Sequence, residues 1–234
     1  MRDWHAALSG WTHFADRCLG MLFRNPCPLC LRPATQVLCQ DCTQRLQDCP
    51  SPVSPIHIAG LPPLYGWKYY EGPLKQSLAK LKYDRQRQVA EPLGEGLATL
   101  WRNRVELNGK SIAVPIPLHR DRERQRGYNQ ADLIARHFCQ RTGLPLQSQG
   151  LLRTQSTTAQ YGLSRSDRFQ NLKRAFALGP GLRSCAPNTQ IVLIDDIFTT
   201  GATLKAATAI LEDAGLNVVA LFSVAIAERR LSKS

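Results

Sequence analysis

The chain has 234 residues, 43% of them hydrophobic and 21% charged, enough for one substantial core and a small appendage, which excludes wholesale disorder. Its formal net charge of +12 favours polyanionic partners (nucleic acid, phosphorylated small molecules or anionic membrane), against the plainer reading of a solvated basic face. No apolar run is long enough to span a bilayer, so no transmembrane segment is expected, and no signal-peptide core follows Met1; the cytoplasm is the expected compartment.

The first 25 residues scatter Arg2, Asp3, His13, Asp16 and Arg17 among apolar positions. They read as a short amphipathic helix that packs on the body or on a partner. Next come two C-x-x-C knuckles, Cys27-Pro28-Leu29-Cys30 and Cys39-Gln40-Asp41-Cys42, with eight residues between them. Four thiolates from two knuckles suit a closed tetrahedral Zn2+ site, and a closed site is structural. A redox pair or an iron–sulfur site is the alternative, because spacing alone does not choose the metal. Of the other cysteines, Cys18 and Cys49 are left over, either buried or idle, Cys185 lies in a loop with no visible role, and Cys139 belongs to a helix core.

Pro50-Ser51-Pro52-Val53-Ser54-Pro55 is a proline-rich joint that cannot continue a helix. From about Ile56 the chain reads as one α/β domain. Leu74, Leu78 and Leu81 recur at helical spacing in Gly72–Tyr83, and Leu93, Leu97, Leu100 and Trp101 do so in Ala90–Val105. Ser111–Pro117 is a short apolar strand ending in prolines. Asn129–Arg141 is a helix with Leu133, Ile134, His137 and Phe138 on its buried stripe, stopped by Gly143 and Pro145. Gln190–Asp195 is a strand from the middle of a parallel sheet, Ala202–Ala214 a helix closed by Gly215, and Asn217–Ile226 the next strand. That order makes a right-handed βαβ unit and an α/β fold with a largely parallel sheet.

The run from Val192 to Leu204 carries the chemistry. A buried strand leads to Asp195-Asp196, then Thr199, Thr200, Gly201 and Ala202 form a loop, and a helix begins. Helix N-termini offer free N–H groups and partial positive charge, so a phosphate is favoured there. Gly201 permits close backbone approach, and Thr199, Thr200 and Thr203 add hydroxyl donors. The two carboxylates would repel that phosphate unless they accept from ribose hydroxyls or face a Mg2+ ion.

This run resembles the signature with which type I phosphoribosyltransferases bind 5-phosphoribosyl-1-pyrophosphate (PRPP). The resemblance implies that Asp195 and Asp196 hold the ribose, with Mg2+ nearby, and that Thr199, Thr200, Gly201, Ala202 and Thr203 wrap the 5-phosphate. Val114-Pro115-Ile116-Pro117-Leu118-His119, Arg124 and Arg126-Gly127-Tyr128-Asn129-Gln130 extend it, as do Arg153-Thr154, Gln160, Leu163-Ser164 and Arg168. Together with the cysteine pairs they resemble the ComF/GntX family, associated with competence, DNA uptake and the use of external DNA. The implied architecture is a type I phosphoribosyltransferase-like core over residues 111–234. A linker and hood would occupy 51–110, and the N-terminal helix and four-cysteine zinc module 1–50.

From Arg120 to Arg174 the chain carries 11 basic and four acidic residues. Leu118–Asn129 reads as a basic loop in the place where the family holds pyrophosphate. His119, Arg120, Arg124 and Arg126 are the candidate contacts, because Arg forks bind phosphate oxygens bidentately; the alternative is an exposed charged turn paired to Asp121 and Glu123. Arg153–Asn171 reads as a long polar loop, either a lid bringing in Arg165 and Arg168 or a plain loop. In the hood, Tyr65, Trp67, Tyr69 and Tyr70 either stack a nucleobase or single-stranded DNA or belong to the core. Expected partners are therefore PRPP, single-stranded DNA and other competence or DNA-uptake proteins. An active phosphoribosyltransferase with an unknown acceptor, a PRPP-binding protein acting on DNA, and a structural competence component all remain open.

Overall fold

The computed structural model describes residues 25–104, 111–154 and 174–227. The expected N-terminal amphipathic helix, with Cys18, and the candidate lid residues Arg165 and Arg168 lie outside the described residues. Helix α1 (Gln40–Gln47) follows the second cysteine knuckle directly. Strand β1 (Leu64–Tyr69) leads to α2 (Gly72–Tyr83), a 3-10 turn at Arg87–Val89 and α3 (Ala90–Arg104). Next come β2 (Ser111–Pro115), α4 (Arg120–Arg126), α5 (Gln130–Thr142), β3 (Leu151–Arg153) and β4 (Phe176–Leu178). After a second 3-10 turn, β5 (Gln190–Phe198), α6 (Ala202–Asp213) and β6 (Asn217–Ile226) complete the order.

Four strands form one sheet in the order β1-β6-β5-β2, with all neighbours parallel, while β3 and β4 pair antiparallel as a small second sheet. Successive side chains of β5 face opposite sides, and both sides are covered. Val192 and Ile194 join Leu78 and Leu81 of α2, Leu93 and Leu97 of α3 and Ile134 and Phe138 of α5 in one core. Ile191 and Leu193 join Leu204, Ala207 and Leu211 of α6 with Leu151 and Phe176 in the other. This two-sided burial explains why the strand sequence is apolar without alternation.

The hood aromatics resolve as packing. Tyr65 stacks on Phe222 at 5.0 Å between ring centres, and Trp101 and Phe138 lie 5.5 and 5.6 Å from the same ring. Such pairs add about 0.5–1.5 kcal/mol each beyond area burial. Trp67 lies so close to α3 that a Cβ on Gly96 would stand 2.4 Å from its ring. The stretch read as a hood thus contains the edge strand of the main sheet. The proline joint is stitched to that strand: the Ser54 hydroxyl accepts from Gly66 N and reaches Gly66 O, and Tyr69 N donates to Pro50 O at 2.9 Å.

Three local expectations are corrected. The basic segment after β2 is not a loop throughout, because Arg120–Arg126 is helical. His119 caps it, Asp121 and Glu123 occupy its first turn, Arg124 and Arg126 its last, and Gly127 at φ 83° ends it. This charge order complements the helix dipole, which a reading based on net charge overlooks. Strand β5 does not stop at Asp195 but runs to Phe198, because β6 continues alongside it to the Phe198–Ile226 pair. Strand β2 ends at Pro115, two residues earlier than expected.

Candidate functional site

The different lengths of β5 and β2 create the site. Their pairing ends at Pro115–Ile194, and one more hydrogen bond, Ile116 N to Ile194 O, holds the departing chain. The next residues of β5 are Asp195 and Asp196, so the doublet stands where one neighbour has turned away. A cleft of about 270 Å³ opens there, at the carboxyl end of the sheet where α/β proteins bind ligands.

Both carboxylates line it and both are buried, with residue exposures of 8% and 5%. Adjacent strand residues point to opposite faces, and cations from two different elements stand near the doublet. Asp196 Oδ2 lies 2.5 Å from Lys82 Nζ at the end of α2. Asp195 interacts electrostatically with Arg153 at the end of β3. Asp195 Oδ1 also accepts from Asp196 N at 2.8 Å. Burial first, then the charge of Asp196, push the Asp195 pKa well above the ordinary carboxylate range, while Lys82 partly offsets this. Burial and the charge of Arg122 lower the Arg153 pKa, and Asp195 raises it.

Arg122 and Arg126, four residues apart on one face of α4, line the cleft, together with Leu118 just before that helix and Gln130 at the start of α5. Arg126 donates to Gln130 Oε1, and its guanidinium lies 5.9 Å from the Tyr83 ring centre at the cleft mouth. The cations of the cleft are therefore Lys82, Arg122, Arg126 and Arg153. Among the four expected pyrophosphate contacts, only Arg126 lines it. Arg120 and Arg124 are exposed and do not line it, and the His119 imidazole is engaged as the α4 cap, its Nδ1 3.3 Å from both Asp121 N and Asp121 Oδ2. Arg122 was missed because its value depends on the helical phase. Lys82 and Arg153 come from distant segments, and no local pattern joins them to the doublet.

The turn from β5 to α6 completes the floor. Thr199 and Thr203 line the cleft, and Thr200, Gly201 and Ala202 lie between them in sequence. Gly201 is the N-cap of α6 at φ 77°, and no side chain caps the helix. A left-handed residue so close to Phe198, whose ring would lie 2.9 Å from an added Cβ, needs glycine. The first N–H groups of α6 are thus left for a ligand or water.

A second site forms at the other end of the described chain. The thiol sulfurs of Cys27, Cys30, Cys39 and Cys42 lie within 4.8 Å of one another, and these residues could hold a metal ion. Tetrahedral ligation at about 2.3 Å needs sulfurs roughly 3.8 Å apart, and Cys30 and Cys39 are already 3.5 Å apart. Arg32 donates to Cys30 Sγ and pairs with Asp41 at 2.5 Å. That donation is the largest influence bringing the Cys30 thiol down to about 6. The module is not a free appendage: Cys27, Leu38, Cys42 and Leu46 share a core with α2, and Gln76 donates to Leu29 O at 3.1 Å. Cys49 is buried, as is Cys139, whose thiol burial raises to about 12. Cys185 is partly buried against the second core.

The fold and sites together define a parallel α/β protein with a doublet cleft and a docked four-cysteine module. No family model matches the chain. Competence protein F of Haemophilus influenzae is 31% identical over 160 residues, covering 67% of this chain and 69% of that protein. DNA utilization protein YhgH of Salmonella typhimurium is 31% identical over 138 residues, 58% of this chain and 59% of its own length. The chain belongs to the family of competence protein F, the ComF/GntX family. Among solved structures, adenine phosphoribosyltransferase from Leishmania tarentolae overlaps loosely, with a TM-score of 0.38 and 15% identity over 60% of this chain and 71% of that one. Among the described residues no helix is long and apolar enough to cross a membrane.

Proposed function

We propose that this chain is a PRPP-binding protein with a phosphoribosyltransferase-like core, serving DNA uptake or the use of external DNA. One observation carries the ligand assignment: a buried acidic doublet, an uncapped helix N-terminus and four basic side chains face one cleft. A sugar carrying phosphate at one end and pyrophosphate at the other has this pattern of needs. The α6 turn takes the 5-phosphate through Thr199, Thr200, Gly201, Ala202 and Thr203. Asp195 and Asp196 take the ribose hydroxyls, and their hard oxygen donors suit the Mg2+ that accompanies PRPP. Arg122, Arg126 and Arg153 take the pyrophosphate through guanidinium forks.

The relatives' names, competence protein F and DNA utilization protein, support the role in DNA handling. Arg120 and Arg124, exposed on α4, suit the backbone of single-stranded DNA, and that binding would weaken steeply with salt. The four cysteines form a structural Zn2+ site, because four thiolates leave no open position. Metal analysis of the purified chain should find about one zinc. Turnover is a second reading, favoured by the exposed Tyr83 at the cleft mouth, which offers a flat surface to an acceptor base. Pyrophosphate release in an acceptor screen tests it. The binding reading is tested by PRPP raising the thermal midpoint of the wild type but not of an Asp195→Asn, Asp196→Asn double variant.

A further inference from the structure

The chain supplies its own cation to the acidic doublet. Lys82 Nζ is 2.5 Å from Asp196 Oδ2, and both side chains are largely screened from water, at 15% and 7% exposure. The neighbouring Lys80 pairs instead with Asp84 at 2.8 Å, so within this turn the reach into the cleft falls to Lys82.

That turn is fixed rather than loose. Leu81 is fully buried, and its carbonyl accepts from the buried Tyr128 hydroxyl. Arg87, just beyond the turn, lies over the Tyr128 ring at 4.7 Å and donates to Gly127 O at 2.8 Å. Lys82 therefore extends from an anchored backbone.

Two adjacent buried carboxylates repel each other unless a cation neutralises them. A divalent ion held by the same carboxylates would supply the neutralising charge instead. An ammonium already in contact with Asp196 Oδ2 blocks its approach and repels a second cation. Lysine and metal thus compete for Asp196 Oδ2.

We propose that Lys82 holds the place of a divalent cation at Asp196 in the ligand-free protein, so that the doublet takes a metal only when an anionic sugar phosphate draws the ammonium away. The identity of that ligand rests on the PRPP reading; the competition between Lys82 and metal does not. The released ammonium stays in a cleft that already presents Arg122, Arg126 and Arg153, where an anion meets it.

The probe is Mn2+ alone, an oxygen-preferring ion whose free concentration is read by electron paramagnetic resonance, titrated onto the full zinc-loaded chain without PRPP. The wild type and Lys82→Arg should take it up weakly. Lys82→Met should bind one Mn2+ per chain at least tenfold more tightly, and adding Asp196→Asn to that variant should remove the gain. Equal affinity in wild type and Lys82→Met overturns the proposal, and so does a gain that survives Asp196→Asn. Failure of the wild type to bind PRPP would refute the ligand reading and leave the Mn2+ comparison intact.

Discussion

Lys68, in the edge strand β1, donates from its ammonium to Gln47 O at 2.5 Å, closing the C-terminal end of the helix that carries Cys42. It also donates to Cys49 O at 2.7 Å. Burial lowers the pKa of this lysine, while the nearby Cys49 and Asp48 raise it. The cysteine module is therefore latched to β1 by two hydrogen bonds from a single ammonium, amid apolar packing. Lys68→Met keeps the stem and removes the donor from the buried Cys49 carbonyl and the part-buried Gln47 carbonyl, at a cost of about 1–3 kcal/mol. The urea midpoint of the zinc-loaded protein should fall accordingly while PRPP affinity holds, because Lys68 lies in the edge strand β1, which β6 separates from the β5 and β2 ends that form the cleft. An unchanged midpoint would remove the latch.

Gly201 joins the sheet to the phosphate turn with a backbone that other residues adopt only under strain. Gly201→Ala should lose about 1–2 kcal/mol, roughly 2–8 °C in thermal midpoint for a chain of this size. It should also weaken PRPP binding at least tenfold by displacing the α6 amides. Calorimetry of the variant with and without ligand reads both effects.

The raised pKa of Asp195 fixes the sign of a pH effect. The folded state holds this proton more tightly than the unfolded state, so the proton favours folding on the acid side. That contribution is lost as pH rises from the ordinary carboxylate range through the raised folded value. Asp195→Asn retains the Oδ1 acceptor for Asp196 N and cannot ionise. In metal-free, ligand-free buffer, the wild type should lose stability relative to this variant as pH rises above the ordinary carboxylate range, as read from urea midpoints. Parallel pH profiles would contradict the burial argument.

The helical phase of α4 separates cations that look alike in sequence. Arg122→Ala should weaken PRPP or pyrophosphate binding about tenfold or more, the scale of a lost charge-assisted contact. Arg120→Ala and Arg124→Ala should leave it within about twofold and reduce the salt dependence of single-stranded DNA binding instead. Equal losses across the three variants would mean that the cleft-facing side of α4 does not select the ligand.

These contrasts show what could be read from residues alone. The two cysteine knuckles and the run from β5 into α6 were legible because each is local: close ligand spacing in one case, a buried strand, turn glycine and helix in the other. Helices α2, α3 and α5 were legible from their leucine and aromatic periodicity. Strand β1 was not, because Tyr65, Gly66, Trp67 and Lys68 mix aromatic, small and charged residues in a strand whose lysine is buried by a tertiary contact. Helix α4 was hidden because every residue in it is polar or charged and none is buried. Lys82 and Arg153 reach the doublet from opposite sides of the sheet, a meeting that only the folded topology creates.

The central claim is that one cleft binds PRPP through the doublet and the α6 turn. Isothermal titration of PRPP with Mg2+ into the zinc-loaded wild type should show one site per chain, and the Asp195→Asn, Asp196→Asn double variant, folded by circular dichroism, should show none. Absence of binding to the wild type, or equal binding to both proteins, would contradict it.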